Sequence, residues 1–254
     1  MTTPTDAAVD ALHALAINGT ADTDALRPFA DADVDAGFRL QLAVLDRWLA
    51  DGEQVGGWKI GLTSRAARDS MGKDVRPPGY VLASRVLSSG ASLPAVANVR
   101  LEPEIGIVLG RDITGEISID QARAAVASVA PAFEINALRL SSTESAAARV
   151  GNALNNWGVV FGAPVDPGAI DLAALSVTLT GPDGPLATGR SGADMIDDPF
   201  LSLTRLAATL ARNGRGLTAG QHIITGSLTD AVPVSESGRY EADFGALGTV
   251  TIDI

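Results

Sequence analysis

The chain contains no cysteine. That excludes disulfide scaffolds, thiolate zinc centres, iron–sulfur clusters and cysteine nucleophiles together. Only two histidines are present, His13 and His222, so imidazole-rich metal centres and Ser-His-Asp arrangements are poorly supplied. Aromatic residues make up 4% of the 254 positions, which leaves Ala, Val, Leu and Ile to build the core. Positive charge is the scarcer sign: 19 Lys and Arg stand against 30 Asp and Glu, a net charge of -11. Such a surface repels phosphate backbones and anionic headgroups, so neither nucleic acid nor membrane is expected as a partner. No apolar run approaches the roughly 18 residues of a membrane-spanning helix, and Met1 to Asp6 lacks a basic and then apolar leader. With 46% hydrophobic and 19% charged residues, the composition is that of a folded protein. The expectation is a soluble, cytoplasmic protein whose chemistry rests on carboxylates, lysine, hydroxyls and backbone groups.

Residues 1–55 read as helical. Asp6 to Ile17 is Ala-rich, has acids near its start and stops at Asn18-Gly19. From Asp33, Phe38, Leu42, Leu45 and Leu49 fall on one helical face that ends at Asp51-Gly52. After Gly56-Gly57 short apolar runs bounded by Gly, Pro and Asp predict strands at 57–62, 101–110, 131–136, 157–162, 174–180, 221–226 and 247–254. Two later helices are expected. Ser118 with Gln121 forms a capping-box pattern opening a stretch that runs to Pro131. Asp198-Pro199 opens another, with Leu203, Leu206 and Leu210 on one face and Asn213-Gly214 as its stop. The whole predicts an α+β fold, a mixed sheet in 56–254 with a helical N-terminal segment, 1–55, packed on it.

Glu102-Pro103-Glu104 carries the sharpest chemical signal. In a strand the two carboxylates share a face and repel each other, and Pro103 predicts a sheet border. The pair reads either as solvated surface acids or as half of a site. Glu134, alone in the apolar run Pro131-Ala132-Phe133-Glu134-Ile135, is costly to bury without a partner. Convergence of all three would suit a hard, oxygen-preferring ion such as Mg²⁺ or Mn²⁺. Lys59, in Trp58-Lys59-Ile60-Gly61-Leu62-Thr63-Ser64, either snorkels from a strand edge or serves beside an anion. Ile223 to Thr229 offers a glycine turn with three hydroxyls. Asn152, Asn155 and Asn156 line a pocket or make a polar turn, while Asp194, Asp197 and Asp198 read as loop and capping acids.

In order, Lys59 to Ser64, Glu102 to Ile105, Ala132 to Ile135 with Arg139, Val159 to Gly162, Thr225 to Thr229 with Val232 to Val234, and Ala242 to Val250 make the chain resemble the fumarylacetoacetate hydrolase superfamily. The likeness is to its 2-keto-4-pentenoate hydratase and 4-oxalocrotonate decarboxylase branch and spans about residues 35–254. It implies the mixed-sheet roll of that family's C-terminal domain and a homo-oligomer. It implies Glu102, Glu104 and Glu134 as ligands of Mg²⁺ or Mn²⁺, Lys59 as the catalytic proton carrier, and Leu62, Ser64, Thr225 and Ser227 as substrate contacts. The implied reaction is hydration of a 2-hydroxy-2,4-dienoate, through its 2-oxo-3-enoate, to a 4-hydroxy-2-oxo acid in aromatic or related catabolism.

The chain departs from the pattern at Arg76-Pro77-Pro78-Gly79-Tyr80, where Pro78 replaces an acid associated with proton transfer. Glu53, Asp74 and Tyr80 are candidate replacements. Ala137-Leu138 replaces the usual Asp-Ser, and Gly151-Asn152-Ala153-Leu154 replaces Asp-Asn-Ala-Ser. The ion site is thus kept while the distal walls are rebuilt. Ser227 favours the hydratase over a 2-oxo-dienedioate decarboxylase, which Pro78 would suit. A repurposed lyase or C–C hydrolase, and a non-catalytic metal-binding or metabolite-binding partner subunit, remain open at this stage.

Overall fold

The computed structural model of the chain describes residues 2–20, 22–65 and 67–254. The first half runs α1 (Asp6–Asn18), α2 (Val34–Ala50), β1 (Val55–Ile60), β2 (Pro78–Leu82), β3 (Val86–Ser88), β4 (Ala91–Ser92), β5 (Val99–Leu109) and α3 (Ile119–Ala125). It continues with β6 (Val126–Ala137), α4 (Ala146–Gly151), β7 (Asn156–Phe161), β8 (Ser176–Gly181), β9 (Gly184–Arg190) and α5 (Pro199–Arg212). The last strands are β10 (His222–Ser227), β11 (Val232–Pro233), β12 (Arg239–Asp243) and β13 (Thr249–Asp253).

The N-terminal helices start where side-chain acceptors supply caps. Thr5 accepts from Ala8 N at α1, and Asp33 accepts from Ala36 N at α2. The apolar face of α2 buries Phe38, Leu42 and Leu45. The helix meets α4 at Gly37, where a Cβ would lie 2.4 Å from the Ala147 carbonyl oxygen, so only glycine permits this approach. One turn on, fully buried Gln41 donates from Nε2 to the carbonyls of Pro78 and Val150. The helical segment is thereby tied to both β2 and α4.

Two mixed sheets form the rest. The larger has the order β2-β1-β10-β5-β6-β7-β3, with β11 also paired to β5. Here β1 runs parallel to β10 and β3 parallel to β7, while the other pairings are antiparallel. The smaller has the order β4-β13-β12-β8-β9. Strands β5 and β6 pair along nearly their whole length, from Val99 opposite Ala137 to Leu109 opposite Val126. Their inner positions are covered on both faces, which explains why Ile105 to Leu109 and Val129 to Phe133 read as near-continuous apolar runs, whereas the start of β5 alternates.

Several boundaries differ from the expected ones. The capping box at Ser118 and Gln121 is present, but α3 ends at Ala125 and the chain turns straight into β6. The β-branched Val126 and Val129 and their pairing with β5 override the alanine-rich helix signal. Strand β1 ends at Ile60, before Gly61 and Leu62, because Leu62 takes φ 59°. Strands β2, β3, β4, β9, β11 and β12 are additions to the expected set. Nor is Glu102-Pro103-Glu104 at a sheet border: β5 lies between β10 and β6. The Pro103 carbonyl accepts from Leu228 N, so the missing N–H faces the gap where β10 ends and β11 begins. A register shift between Ile224 and Ser227 accompanies it, the bulged setting in which an interior proline is tolerated.

Candidate active site

The β5–β6 register sets Glu102 directly opposite Glu134, and Glu104 follows two residues along the same face of β5. Each of the three offers one carboxylate oxygen, and these oxygens all lie within 4.8 Å of one another. Glu104 and Glu134 are each 2% exposed; Glu102 is half-buried. Lys59, on β1 across β10, places Nζ 2.7 Å from Glu134 Oε1. Asn136 Nδ2 donates to Glu102 at 2.8 Å, Asn156 Nδ2 to Glu134 at 2.9 Å, and the Gly226 amide to Glu104 at 2.5 Å.

The electrostatics are those of a site short of positive charge. Burial, then the neighbouring Glu134 carboxylate, pushes Glu102 up to about 7 despite Lys59, Arg100 and the Asn136 bond. Burial and then Glu134 and Glu102 push Glu104 well above the carboxylate range. Burial opposes the charge on Lys59, but Glu134, Glu102 and Glu104 outweigh it and hold its pKa above the ordinary value. One ammonium group cannot neutralise three carboxylates. The set of hard, buried oxygen donors with a remaining negative charge fits a divalent cation of the Mg²⁺ kind.

The glycine turn is built around this cluster. Gly226 takes φ 120°, and a Cβ there would fall 1.6 Å from Thr63 Oγ1, so glycine alone lets β10 close on the segment after β1. Thr63 Oγ1 then donates to the Thr225 carbonyl at 3.0 Å, next to the amide that binds Glu104.

A cavity of about 660 Å³ opens on the cluster. Lys59, Leu62, Ser64, Glu102, Glu104, Glu134 and Ser227 all line it, so seven of the eight expected site residues share one space. Thr225 is the exception. It is fully buried, its hydroxyl donates to the Ile105 carbonyl at 3.0 Å, and it does not line the cavity; its role is to hold β10 on β5. Of the asparagines, Asn155 is on the wall and Asn156 backs Glu134, while Asn152 donates to Asn155.

None of the candidate replacement acids reaches the cavity. Tyr80 is buried and its hydroxyl accepts from Trp48 Nε1, Glu53 accepts from Ser84, and Asp74 lines a different cavity. Asp230, Arg100 and Arg149 line it without having been singled out, and Arg139, noted above only as part of the resemblance, lines it too. Arg100 was legible in principle, since it continues the 100, 102, 104 alternation along one face of β5. Arg139 and Arg149 come from the loop after β6 and from α4; Arg139 follows the Glu134 motif in the resemblance, and no local pattern aims Arg149 here.

The chain from residue 58 to 254 matches the family model described as fumarylacetoacetate (FAA) hydrolase C-terminal. The chain belongs to this family. Its curated relatives include 2-keto-4-pentenoate hydratase 1 of Dechloromonas aromatica, 31% identical over 95% of each chain. They also include 2-hydroxyhexa-2,4-dienoate hydratase of Comamonas testosteroni, 30% identical over 86% of this chain and 85% of the relative. Among solved structures, 4-oxalocrotonate decarboxylase from Pseudomonas putida G7, complexed with magnesium and adipate, superposes with a TM-score of 0.88. That likeness covers 97% of this chain and 95% of the other at 23% identity, and it shows a shared fold. Hydratase relatives over most of its length make this family member a hydro-lyase enzyme.

Proposed function

We propose that this enzyme hydrates a small 2-hydroxy-2,4-dienoate, by way of its 2-oxo-3-enoate, to a 4-hydroxy-2-oxo acid in the breakdown of aromatic or related rings. The observation that carries the reading is the buried cluster of Glu102, Glu104 and Glu134 with Lys59 at 2.7 Å. The three glutamates would hold Mg²⁺, or Mn²⁺ in its place, which when bound supplies Lewis-acid polarisation of a 2-oxo acid's carboxylate and carbonyl.

The remaining work falls to the chain's own groups. Lys59 Nζ, ion-paired and desolvated, holds a proton beside the polarised end of the substrate and exchanges it as the dienol becomes the enone. Asn136 and Asn156 fix the carboxylate orientations by donating to Glu102 and Glu134. Leu62 and Ser64 wall the substrate on one side and Ser227 on another. Ser227 Oγ donates to the Thr229 carbonyl at 2.8 Å and accepts from the Thr229 amide at 3.3 Å, which fixes the hydroxyl at the cavity wall. Outside the three glutamates, Asp230 is the only carboxylate on the wall among the described residues, and it is the group available to take a proton from the added water. The same reading treats residues 1–55 as a segment packed on a catalytic domain of 56–254, and takes the enzyme to be a homo-oligomer.

The test is a ¹H NMR time course of 2-hydroxypenta-2,4-dienoate with the protein, with Mg²⁺ and again with EDTA. Metal-dependent appearance of 4-hydroxy-2-oxopentanoate is expected. Enol–keto exchange without hydration would instead favour loss of CO₂ from a 2-oxo-dienedioate, the reaction that Pro78 suits. No change in the substrate would contradict both.

A further inference from the structure

The segment joining β1 to β2 lines the carboxylate cavity, yet its one side chain packed on the apolar core is the partly buried Met71, among the described residues. Gly61 to Ser64 line the carboxylate cavity, while Met71 and Asp74 to Arg76 line a second cavity of about 630 Å³. Among its described residues from Gly61 to Arg76, no aliphatic or aromatic side chain is buried. Leu62, Asp69 and Asp74 all take positive φ, at 59°, 61° and 60°. A stretch of this length with so little apolar anchoring loses a large conformational entropy on ordering, so polar contacts must help to fix it.

That group is Asp197. Its carboxylate is 10% exposed and collects three guanidinium groups: Arg68 Nε at 3.1 Å, Arg76 Nε at 2.8 Å and Arg205 Nη1 at 2.6 Å. Arg68 and Arg76 belong to the segment and Arg205 to α5. The Arg76 side chain is itself only 4% exposed. The Asp197 backbone amide donates to the Thr63 carbonyl at 3.2 Å, and Arg68 Nε donates to the same oxygen at 3.0 Å. On either side, Ser64 bridges Ile196 and the Arg65 amide donates to the Met195 carbonyl. Helix capping does not require Asp197, because Asp198 accepts from the amides of Phe200 and Leu201.

The contacts run on toward the chemistry. Thr63, whose carbonyl accepts from the Asp197 amide and from the Arg68 guanidinium that the Asp197 carboxylate holds, donates to the Thr225 carbonyl and packs on Gly226, whose amide binds Glu104. Without the Asp197 charge, three arginines would face one another with, among the described residues, only Asp69, on Arg76, to oppose them. The backbone bonds at Thr63, Ser64 and Arg65 would remain, but the side-chain fastening through Arg68 and Arg76 would be lost while the glutamates kept theirs on β5 and β6.

We propose that Asp197 is a positioning residue that fastens Leu62, Thr63 and Ser64 as the substrate wall, setting substrate affinity without touching substrate or ion. The proposal rests on the hydratase reading for its substrate and on the structure alone for the fastening. The test compares wild type with Asp197→Asn and Asp197→Glu in the full chain. It reads kcat and KM for 2-hydroxypenta-2,4-dienoate, Mn²⁺ affinity, thermal melting, and tryptic cleavage after Arg65 and Arg68. Asp197→Asn should raise KM by about tenfold and speed cleavage at those two sites, with Mn²⁺ affinity within about twofold of wild type. Asp197→Glu should recover part of the KM. Unchanged KM and cleavage, or losses that follow Mn²⁺ affinity and melting temperature in proportion, would overturn the proposal. If the wild type turns over no dienoate, the hydratase reading fails. The cleavage rate then decides the fastening by itself, acceleration supporting it and no change overturning it.

Discussion

Replacing Lys59 with methionine keeps the length and apolar body of the side chain and removes its charge. In the ion-free protein this leaves Glu102, Glu104 and Glu134 clustered within 4.8 Å with no cation at 2.7 Å. Breaking a buried ion pair from one side costs about 3–5 kcal/mol. For a chain of this size, each kcal/mol moves the melting temperature by roughly 2–4 °C, so Lys59→Met should melt about 6–20 °C below wild type in EDTA. The deficit should be larger at pH 8 than at pH 6, because Glu102, pushed up to about 7, can answer the loss by taking a proton at the lower pH. Saturating Mg²⁺ supplies the missing positive charge and should shrink the deficit to a small residue. Turnover should still fall by about 10²–10⁴-fold, the usual worth of a positioned proton carrier. Thermal melts by circular dichroism, with EDTA and with Mg²⁺ at both pH values, read the first effect, and the dienoate assay reads the second. An equal loss of melting temperature with and without Mg²⁺ would refute the reasoning. It would mean that Lys59 matters through packing and not through the charge of the three glutamates.

Three further outcomes are expected. Gly226→Ala, with its Cβ 1.6 Å from Thr63 Oγ1 at φ 120°, should cost more than about 2 kcal/mol in a urea melt and weaken Mn²⁺ binding by disturbing the Glu104 amide bond. Gly37→Val should unseat α2 from α4, since even a Cβ falls 2.4 Å from a backbone oxygen; loss of cooperative thermal unfolding would show it. The ion-free protein should lose stability as pH rises from about 4.5 through about 7. The raised Glu102 and Glu104 values mean that the fold favours their protonated forms, a contribution complete below the ordinary value and lost above the raised one. Melts from pH 4.5 to 8 in EDTA, repeated with Mg²⁺, should show the stabilisation by Mg²⁺ growing with pH.

Most of the site was legible in the sequence because its parts lie on short, regular patterns. The alternation of Glu102 and Glu104 on a strand, an isolated acid in the apolar run around Glu134, and a lysine between Trp58 and Ile60 each carry their own signal. The ordered set was enough to name the family, and the helix starts at Asp33, Ser118 and Asp198 follow from capping chemistry alone. What the sequence hid depends on partners distant in the chain. The helix signal after Ser118 was stopped by strand pairing with β5. Pro103 looked like an edge residue because the bulge that accommodates it lies in β10, more than 120 residues later. Thr225 looked like a substrate contact, but its hydroxyl is committed to the Ile105 carbonyl. Asp197 looked like one more loop acid, and only the folded chain brings Arg68, Arg76 and Arg205 to it. Of the second sheet, β8 and β13 were expected and β4, β9 and β12 were not; β9 is half exposed and rich in Gly, Pro and Ala, which gives little period-2 signal.

The central claim is that Glu102, Glu104 and Glu134 together hold one divalent ion. Titration with Mn²⁺, followed by the loss of its free electron paramagnetic resonance signal, tests it most directly on wild type and on Glu104→Gln, with circular dichroism to confirm the fold of each. One tight site per chain in the wild type, and its loss in a folded Glu104→Gln, is the predicted result. A folded Glu104→Gln that binds Mn²⁺ with unchanged stoichiometry and affinity would contradict the account.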